Sequence, residues 1–217
     1  EIVANMVNFR NKLSVLHKDT EDRVWLSELP RDTWSGSTVS LDIPADSLIV
    51  GIFKAPLIPG SEQGELIVQC PNSVYVFDGN MHLVNGFPFV HNAVAVTDSS
   101  HYAPLSIADV DGNGILDILI AGDNSFVVVD YHGSRMSPAT LSLTESGDAI
   151  ASGVYAADID ADGYPEFVGN FSHNRLCVWE HDYRQKSGYP IAFAERSRTM
   201  PFVAKASDDT WYLYSAT

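Results

Sequence analysis

A short run of alternating apolar and polar residues recurs five times along this chain, each time just downstream of a second run of the same kind. The copies span residues 13–17 (LSVLH), 74–78 (VYVFD), 126–130 (FVVVD), 176–180 (LCVWE) and 211–215 (WYLYS). Their upstream partners begin at Glu1, Glu65, Asp117, Glu166 and, more loosely, Pro201. Strand side chains alternate between two faces, and β-branched and aromatic residues suit a packed, pleated surface. Two such runs joined by a polar turn, such as Pro71-Asn72-Ser73, read as a hairpin. The copies start 61, 52, 50 and 35 residues apart. Strand-rich repeats of ~40–50 residues, without a convincing amphipathic helix, predict the blades of a β-propeller. A β-sandwich is the alternative, but it leaves hairpins in matching register unexplained. Residues 7–22 fit period two as well as 3.6 and are read as strand.

Gly86-Phe87-Pro88 and Gly188-Tyr189-Pro190 both fall 12 residues after the start of the second strand, where Gly and Pro mark a sharp change of direction. Pro30 and Pro138 are read as worn counterparts. The expected organisation is all-β, with one propeller domain or fragment over residues 1–217. Its units are 1–30 (partial), 31–88, 89–138, 139–190 and 191–217 (partial).

Two loops inside this pattern carry acids at fixed spacing. Residues 109–117 read DVDGNGILD and residues 158–166 read DIDADGYPE, both fitting D-x-[DN]-x-[DN]-G-x-x-[DE]. Positions 1, 3, 5 and 9 are Asp109, Asp111, Asn113 and Asp117 in the first loop. In the second they are Asp158, Asp160, Asp162 and Glu166. Calcium takes roughly 6–8 oxygen ligands at about 2.3–2.6 Å, and alternate residues of a curling loop present oxygens to one centre. Position 7, Ile115 or Tyr164, is expected to add a backbone carbonyl. Without a cation, so many carboxylates close together repel one another. Neither loop holds Cys or His, which disfavours zinc. An EF-hand needs a Glu at position 12, where this chain has Ile120 and Gly169. The reading is two structural Ca2+ sites, the second ranked stronger because it has four carboxylates against three. At the corresponding place upstream of Glu65, Lys54 stands in the expected ligand region, and no calcium is expected there.

The chain has 13 basic and 28 acidic residues, a formal net charge of −15, which disfavours nucleic-acid and anionic membrane partners. No apolar stretch approaches the ~20 residues of a spanning helix, so no membrane insertion is expected. Cys70 and Cys177 lie in apolar strand-like runs, which favours buried free thiols over a bridge. Trp179 and Trp211 are expected in the core between blades, whereas Trp34 is as readily exposed. Asn170-Phe171-Ser172 matches a glycosylation sequon. There is no G-x-S-x-G, H-E-x-x-H or phosphate-cradling glycine loop, and no catalytic residue is assigned.

The phrases from Ala108 to Gly114 and from Ala157 to Gly163, with the strands that follow, resemble the FG-GAP/VCBS repeats of integrin-alpha-type propellers. The Gly-aromatic-Pro turns resemble those of bacterial secreted members. The resemblance implies a secreted or cell-surface, calcium-stabilised, non-catalytic module that binds a protein or glycan. It also admits a polysaccharide lyase-like role or a structural spacer. Propellers of this type usually have seven blades, and Glu1 aligns with Asp117 and Glu166. The chain is therefore expected to be part of a longer protein.

Overall fold

The computed structural model describes residues 2–4, 14–18, 24–25, 41–44, 47–61, 64–91, 96–98, 101–122, 125–138, 150–171, 174–195, 201–206 and 211–214. Among them there is no helix, and so none that is long and apolar enough to cross a membrane. The strands are β1 (Ile2–Ala4), β2 (Ser14–Lys18), β3 (Val24–Trp25), β4 (Gly51–Ala55), β5 (Glu65–Cys70) and β6 (Ser73–Phe77). They continue with β7 (Phe89–Val90), β8 (Val96–Asp98), β9 (His101–Tyr102), β10 (Ser106–Ala108), β11 (Asp117–Ala121) and β12 (Phe126–Val129). The last are β13 (Ile150–Ala157), β14 (Glu166–Phe171), β15 (Arg175–Trp179), β16 (Ile191–Ala192), β17 (Phe202–Lys205) and β18 (Trp211–Tyr214).

All are antiparallel and nearly all pair in chain order. The sheets are β1-β2-β3, β4-β5-β6-β7, β10-β11-β12 and β13-β14-β15-β16, with two-stranded pieces β8-β9 and β17-β18. We refer to the first four as the first to fourth sheets. All five predicted hairpins are present: β1-β2, β5-β6, β11-β12, β14-β15 and β17-β18. The β5-β6 turn is the tightest, with Cys70 opposite Ser73 around Pro71-Asn72. Short outer strands extend the second and fourth sheets just past residues 88 and 190. The chain is thus a run of antiparallel meanders, each built as a propeller blade is.

The central strands β5, β11 and β14 are buried along their whole length. Such a strand must have both of its faces covered, and alternation decides which residue meets which neighbour. Ile67, Val74 and Val76 of the second sheet enter one core with Ile118, Ile120, Val128, Phe167 and Trp179. Leu66, Val68, Tyr75 and Phe77 turn to the opposite side and pack with Leu41 and Ile43. In the fourth sheet Val168, Leu176 and Val178 face Val203 and Leu213 of the last hairpin. Both cysteines are buried and neither is in a disulfide, Cys177 lying inside the shared core. Trp179 lies in that core as expected, whereas the side chains of Trp25, Trp34 and Trp211 lie outside the described residues.

Adjacent sheets are also joined by specific contacts. Phe126 of β12 lies 4.9 Å from Phe167, 5.4 Å from Trp179 and 6.1 Å from Tyr183, all from the fourth sheet or its turn. The buried Gln69 side chain donates to the Ala103 carbonyl (3.0 Å) and accepts from the Leu105 N–H (3.2 Å), tying the second sheet to the segment leading into the third. The Gly86-Phe87-Pro88 turn lies backbone to backbone against Gly133. A β-carbon at Gly86 would collide with the His132 carbonyl, and one at Gly133 with the Gly86 carbonyl. Both glycines have positive φ, 94° and 74°. The equivalent Gly188 has φ 89° but open space around it.

Gly86→Ala and Gly133→Ala are therefore expected to destabilise the fold by at least about 2 kcal/mol, through strain plus collision, and Gly188→Ala by about 1 kcal/mol, through strain alone. Urea unfolding of the three variants checks this, and equal losses at all three would contradict it.

Candidate metal centres

We call the second, third and fourth sheets the full sheets, and the second strand of each begins with an acid: Glu65 opposite Ala55, Asp117 opposite Ala108 and Glu166 opposite Ala157. All three are buried, at 1%, 1% and 0% exposure. A carboxylate leaves water at high cost unless hydrogen bonds or an opposite charge replace hydration. Here each accepts from the loop that enters its strand. Glu65 Oε2 accepts from the N–H groups of Leu57 (2.7 Å) and Ile58 (3.0 Å). Asp117 Oδ2 accepts from Val110 (3.1 Å) and Glu166 Oε2 from Ile159 (2.8 Å). Leu57, Val110 and Ile159 are thereby equivalent, and the residues before them are Pro56, Asp109 and Asp158. Position 1 of the second sheet's loop is thus Pro56. Lys54 lies further back, inside β4 and paired with Leu66, so its expected place in the ligand region is corrected.

The first loop curls by turning its acids onto its own backbone. Asp109 accepts from Gly112 (2.9 Å), Asn113 (3.2 Å) and Gly114 (2.8 Å), while Asp111 accepts from the Asn113 N–H (3.1 Å) and side-chain amide (2.9 Å). In the second loop Asp158 accepts from Asp162 and Gly163, both at 3.1 Å, and Asp160 accepts from Asp162 (3.2 Å). The curl needs left-handed backbone at positions 4 and 6: Gly112 (φ 73°) and Gly114 (82°), then Ala161 (63°) and Gly163 (94°). Carboxylate oxygens of Asp109, Asp111 and Asp117 come within 4.8 Å of one another, and so do those of Asp158, Asp160 and Glu166. Positions 1, 3 and 9 therefore converge in both loops. The position-5 side chains also bond to their own loops, Asn113 Oδ1 accepting from Ile115 (2.7 Å) and Asp162 Oδ1 from Tyr164 (2.8 Å). The Tyr164 ring is exposed and stacks on His181 at 4.6 Å.

Electrostatically the loops differ. Burial pushes the Asp117 carboxyl up to about 6; the Val110 N–H opposes this, and the charges of Asp111, Asp109 and Asp130 add to it. Among the described residues no basic side chain pairs with Asp109, Asp111 or Asp117. Burial, with Asp117 and Asp111 nearby, also lifts the Tyr183 phenol to about 12. The second loop contains a cation of its own. Lys186 Nζ lies 2.7 Å from Asp160 Oδ2, 3.3 Å from Glu166 Oε1, and 2.9 and 3.0 Å from the two oxygens of Glu180. Burial works against the ammonium, yet its bonds to Asp160, Glu180 and Glu166 hold it above the usual lysine range. The bond from Lys186 correspondingly holds Asp160 below the usual carboxylate range. Glu166 is raised by burial, with the Ile159 N–H and Lys186 pulling the other way. No local motif marks Lys186 as a partner of this loop. It lies 20 residues beyond Glu166 and reaches the loop only through the fold.

Both groups fit a hard divalent cation, since they offer converging carboxylate oxygens and no sulfur or imidazole ligand. Asn170 is buried in β14, so the sequon at that position is not an accessible glycosylation site.

Residues 109–169 match the family model described as FG-GAP-like repeat, a stretch that runs from the first ligand position of the first loop into β14 and spans both loops. No curated protein sequence matches the chain. Two solved structures of BBS1N in complex with ARL6DN resemble it. The one soaked with lead gives a TM-score of 0.55 at 11% identity over 96% of this chain and 62% of BBS1N; the one soaked with mercury gives 0.51 at 11% over 78% and 52%. The V. cholerae biofilm matrix protein Bap1 gives 0.52 at 12% identity, over 90% of this chain and 29% of Bap1. At such identities the likeness is one of fold, and the chain spans less than two thirds of each of these proteins.

Glu65 holds two N–H groups in a loop whose first ligand position is proline, so its contribution does not involve metal. Glu65→Ala is expected to cost about 2–4 kcal/mol by stranding two amides, equally in calcium and in EDTA. Asp117→Ala is expected to cost more in calcium than in EDTA. Denaturant titrations in both conditions test the contrast, and a calcium-dependent Glu65→Ala loss would refute it.

Proposed function

We propose that this chain is part of a calcium-stabilised, non-catalytic propeller that acts outside the cell by binding a protein or glycan partner. The observation that carries the reading is the acidic triad at positions 1, 3 and 9, formed twice at the same place in consecutive FG-GAP-type units. Each triad sits where a loop enters a buried central strand. A cation there joins the loop to the sheet core, which is the action of a clip and moves nothing. Oxygen-only donors favour calcium, and its millimolar extracellular level keeps weak clips filled.

The partner class follows from surface and likeness. With a net charge of −15 the chain is set against polyanions. BBS1N is described in complex with another protein, and Bap1 as a biofilm matrix protein. Both descriptions support a surface that binds partners.

Saturating one site at ~100 times its dissociation constant adds about 2.7 kcal/mol of stability. For a chain this size that is a rise in melting temperature of about 5–10 °C. EDTA is expected to lower the melting temperature by at least that amount, calcium to restore it, and magnesium to restore it poorly, because Mg2+ demands a tight octahedral set. An unchanged melt in EDTA would remove the calcium reading. A panel of matrix proteins and neutral glycans, probed with and without calcium, is expected to yield a partner released by EDTA; uniform failure to bind would leave a spacer role.

A further inference from the structure

The three full sheets end their third strands in equivalent turns, which makes Lys186 comparable with its counterparts. The N–H groups of Val84, Met136 and Lys186 donate to Val76, Val128 and Val178, each at 2.8 Å. The residue opening the turn is Asp78, Asp130 or Glu180. Asp78 Oδ1 caps its own turn by accepting from Asn80 and His82, and Asp130 Oδ1 does so from His132 and Ser134. Glu180, one methylene longer, places both oxygens on Lys186, and Asp182 supports the turn by accepting from Arg184. Val84 and Met136 pack on the core as apolar residues. Among these three described turns, the fourth sheet's alone has the substitution pair, lysine for an apolar residue and Glu for Asp. That pair delivers an ammonium to the acids of its own metal loop.

We propose that Lys186 is a built-in counter-ion of the second loop: it occupies carboxylate oxygens that a divalent cation needs, so that this loop is clasped without metal and the first loop sets the calcium dependence of the chain. The inference rests on the calcium reading above and goes beyond it. Glu166 has both oxygens engaged, Oε2 by the Ile159 N–H and Oε1 by Lys186, and Asp160 Oδ2 is held at 2.7 Å. A cation entering the second loop must displace the ammonium, whereas at the first loop it meets acids with no such partner among the described residues. The order of affinities is then the reverse of the order of carboxylate number.

Each loop is read alone by calcium calorimetry, the second in an Asp109→Ala background and the first in an Asp158→Ala background. The first loop is expected to bind calcium at least about tenfold more tightly than the second, and Lys186→Met, which copies Met136, to tighten the second about tenfold. In EDTA, Lys186→Met in the otherwise unaltered chain is expected to melt about 5 °C below wild type, and excess calcium to return it to the wild-type value. Lys186→Gln replaces it if Lys186→Met does not fold. The proposal is overturned if removing Lys186 leaves second-loop affinity unchanged or weaker, or if calcium does not recover the EDTA loss. Failure of calcium to bind the first loop would instead overturn the clip reading, so the two failures are distinguishable.

Discussion

The second, third and fourth sheets are each arranged around a buried carboxylate at the head of their second strand. Glu65, Asp117 and Glu166 stand at the same register position, each opposite an alanine of the preceding strand. Placing an acid there closes the entering loop onto the sheet, but it takes a charge out of water. The three sheets meet that cost differently. Glu65 receives two backbone N–H groups. Glu166 receives one N–H and an ammonium. Asp117 receives one N–H and stands among other acids; burial, with those acids adding to it, pushes its carboxyl up to about 6. Of the three, its environment is the one that most wants a cation.

The sheets around these acids hold one another by covering both faces of each central strand. Alternation in β5 and β6 divides their side chains between two cores, and β14 and β15 do the same on the other side. The third sheet lies between, so β11 and β12 contribute nearly all of their residues to a single core with both neighbours. The aromatic cluster of Phe126, Phe167, Trp179 and Tyr183 fills one of these junctions. Backbone contact between Gly86 and Gly133 closes the other, at the cost of two left-handed glycines.

The parts of this structure governed by local periodicity were legible in the sequence. Five hairpins and the curl of two loops follow from period-two alternation and from acids and glycines at fixed spacing, all within about ten residues. What depended on the fold was not legible. Lys186 is 26 residues from Asp160 and looks like a solvated surface lysine until the turn after β15 brings it back. Glu65 was visible as a leftover of a lost metal loop, but its role as acceptor for Leu57 and Ile58 appears only when the chain has closed. Lys54 was misplaced because it precedes the loop: the amides held by Glu65 set position 1 at Pro56, and Lys54 lies two residues earlier, inside β4. Asn170 satisfied a surface motif, yet β14 is covered on both faces.

The same logic explains why counting carboxylates is a poor guide to a metal loop. A site binds a cation by the difference between its energy with the ion and its energy without it. Acids already paired with an ammonium are stable without one, so extra carboxylates matter little once a fixed positive charge lies among them. Asp162 illustrates a second reason, because its Oδ1 accepts from the Tyr164 N–H and helps to shape the loop. The first loop has fewer acids and less internal compensation, and its strand lies in the core shared by the second and fourth sheets. A cation there would relieve the least compensated charge at the place where its relief is felt by two neighbouring units. On the proposal above, position in the stack and, among the described residues, the lack of a competing charge would outweigh ligand number.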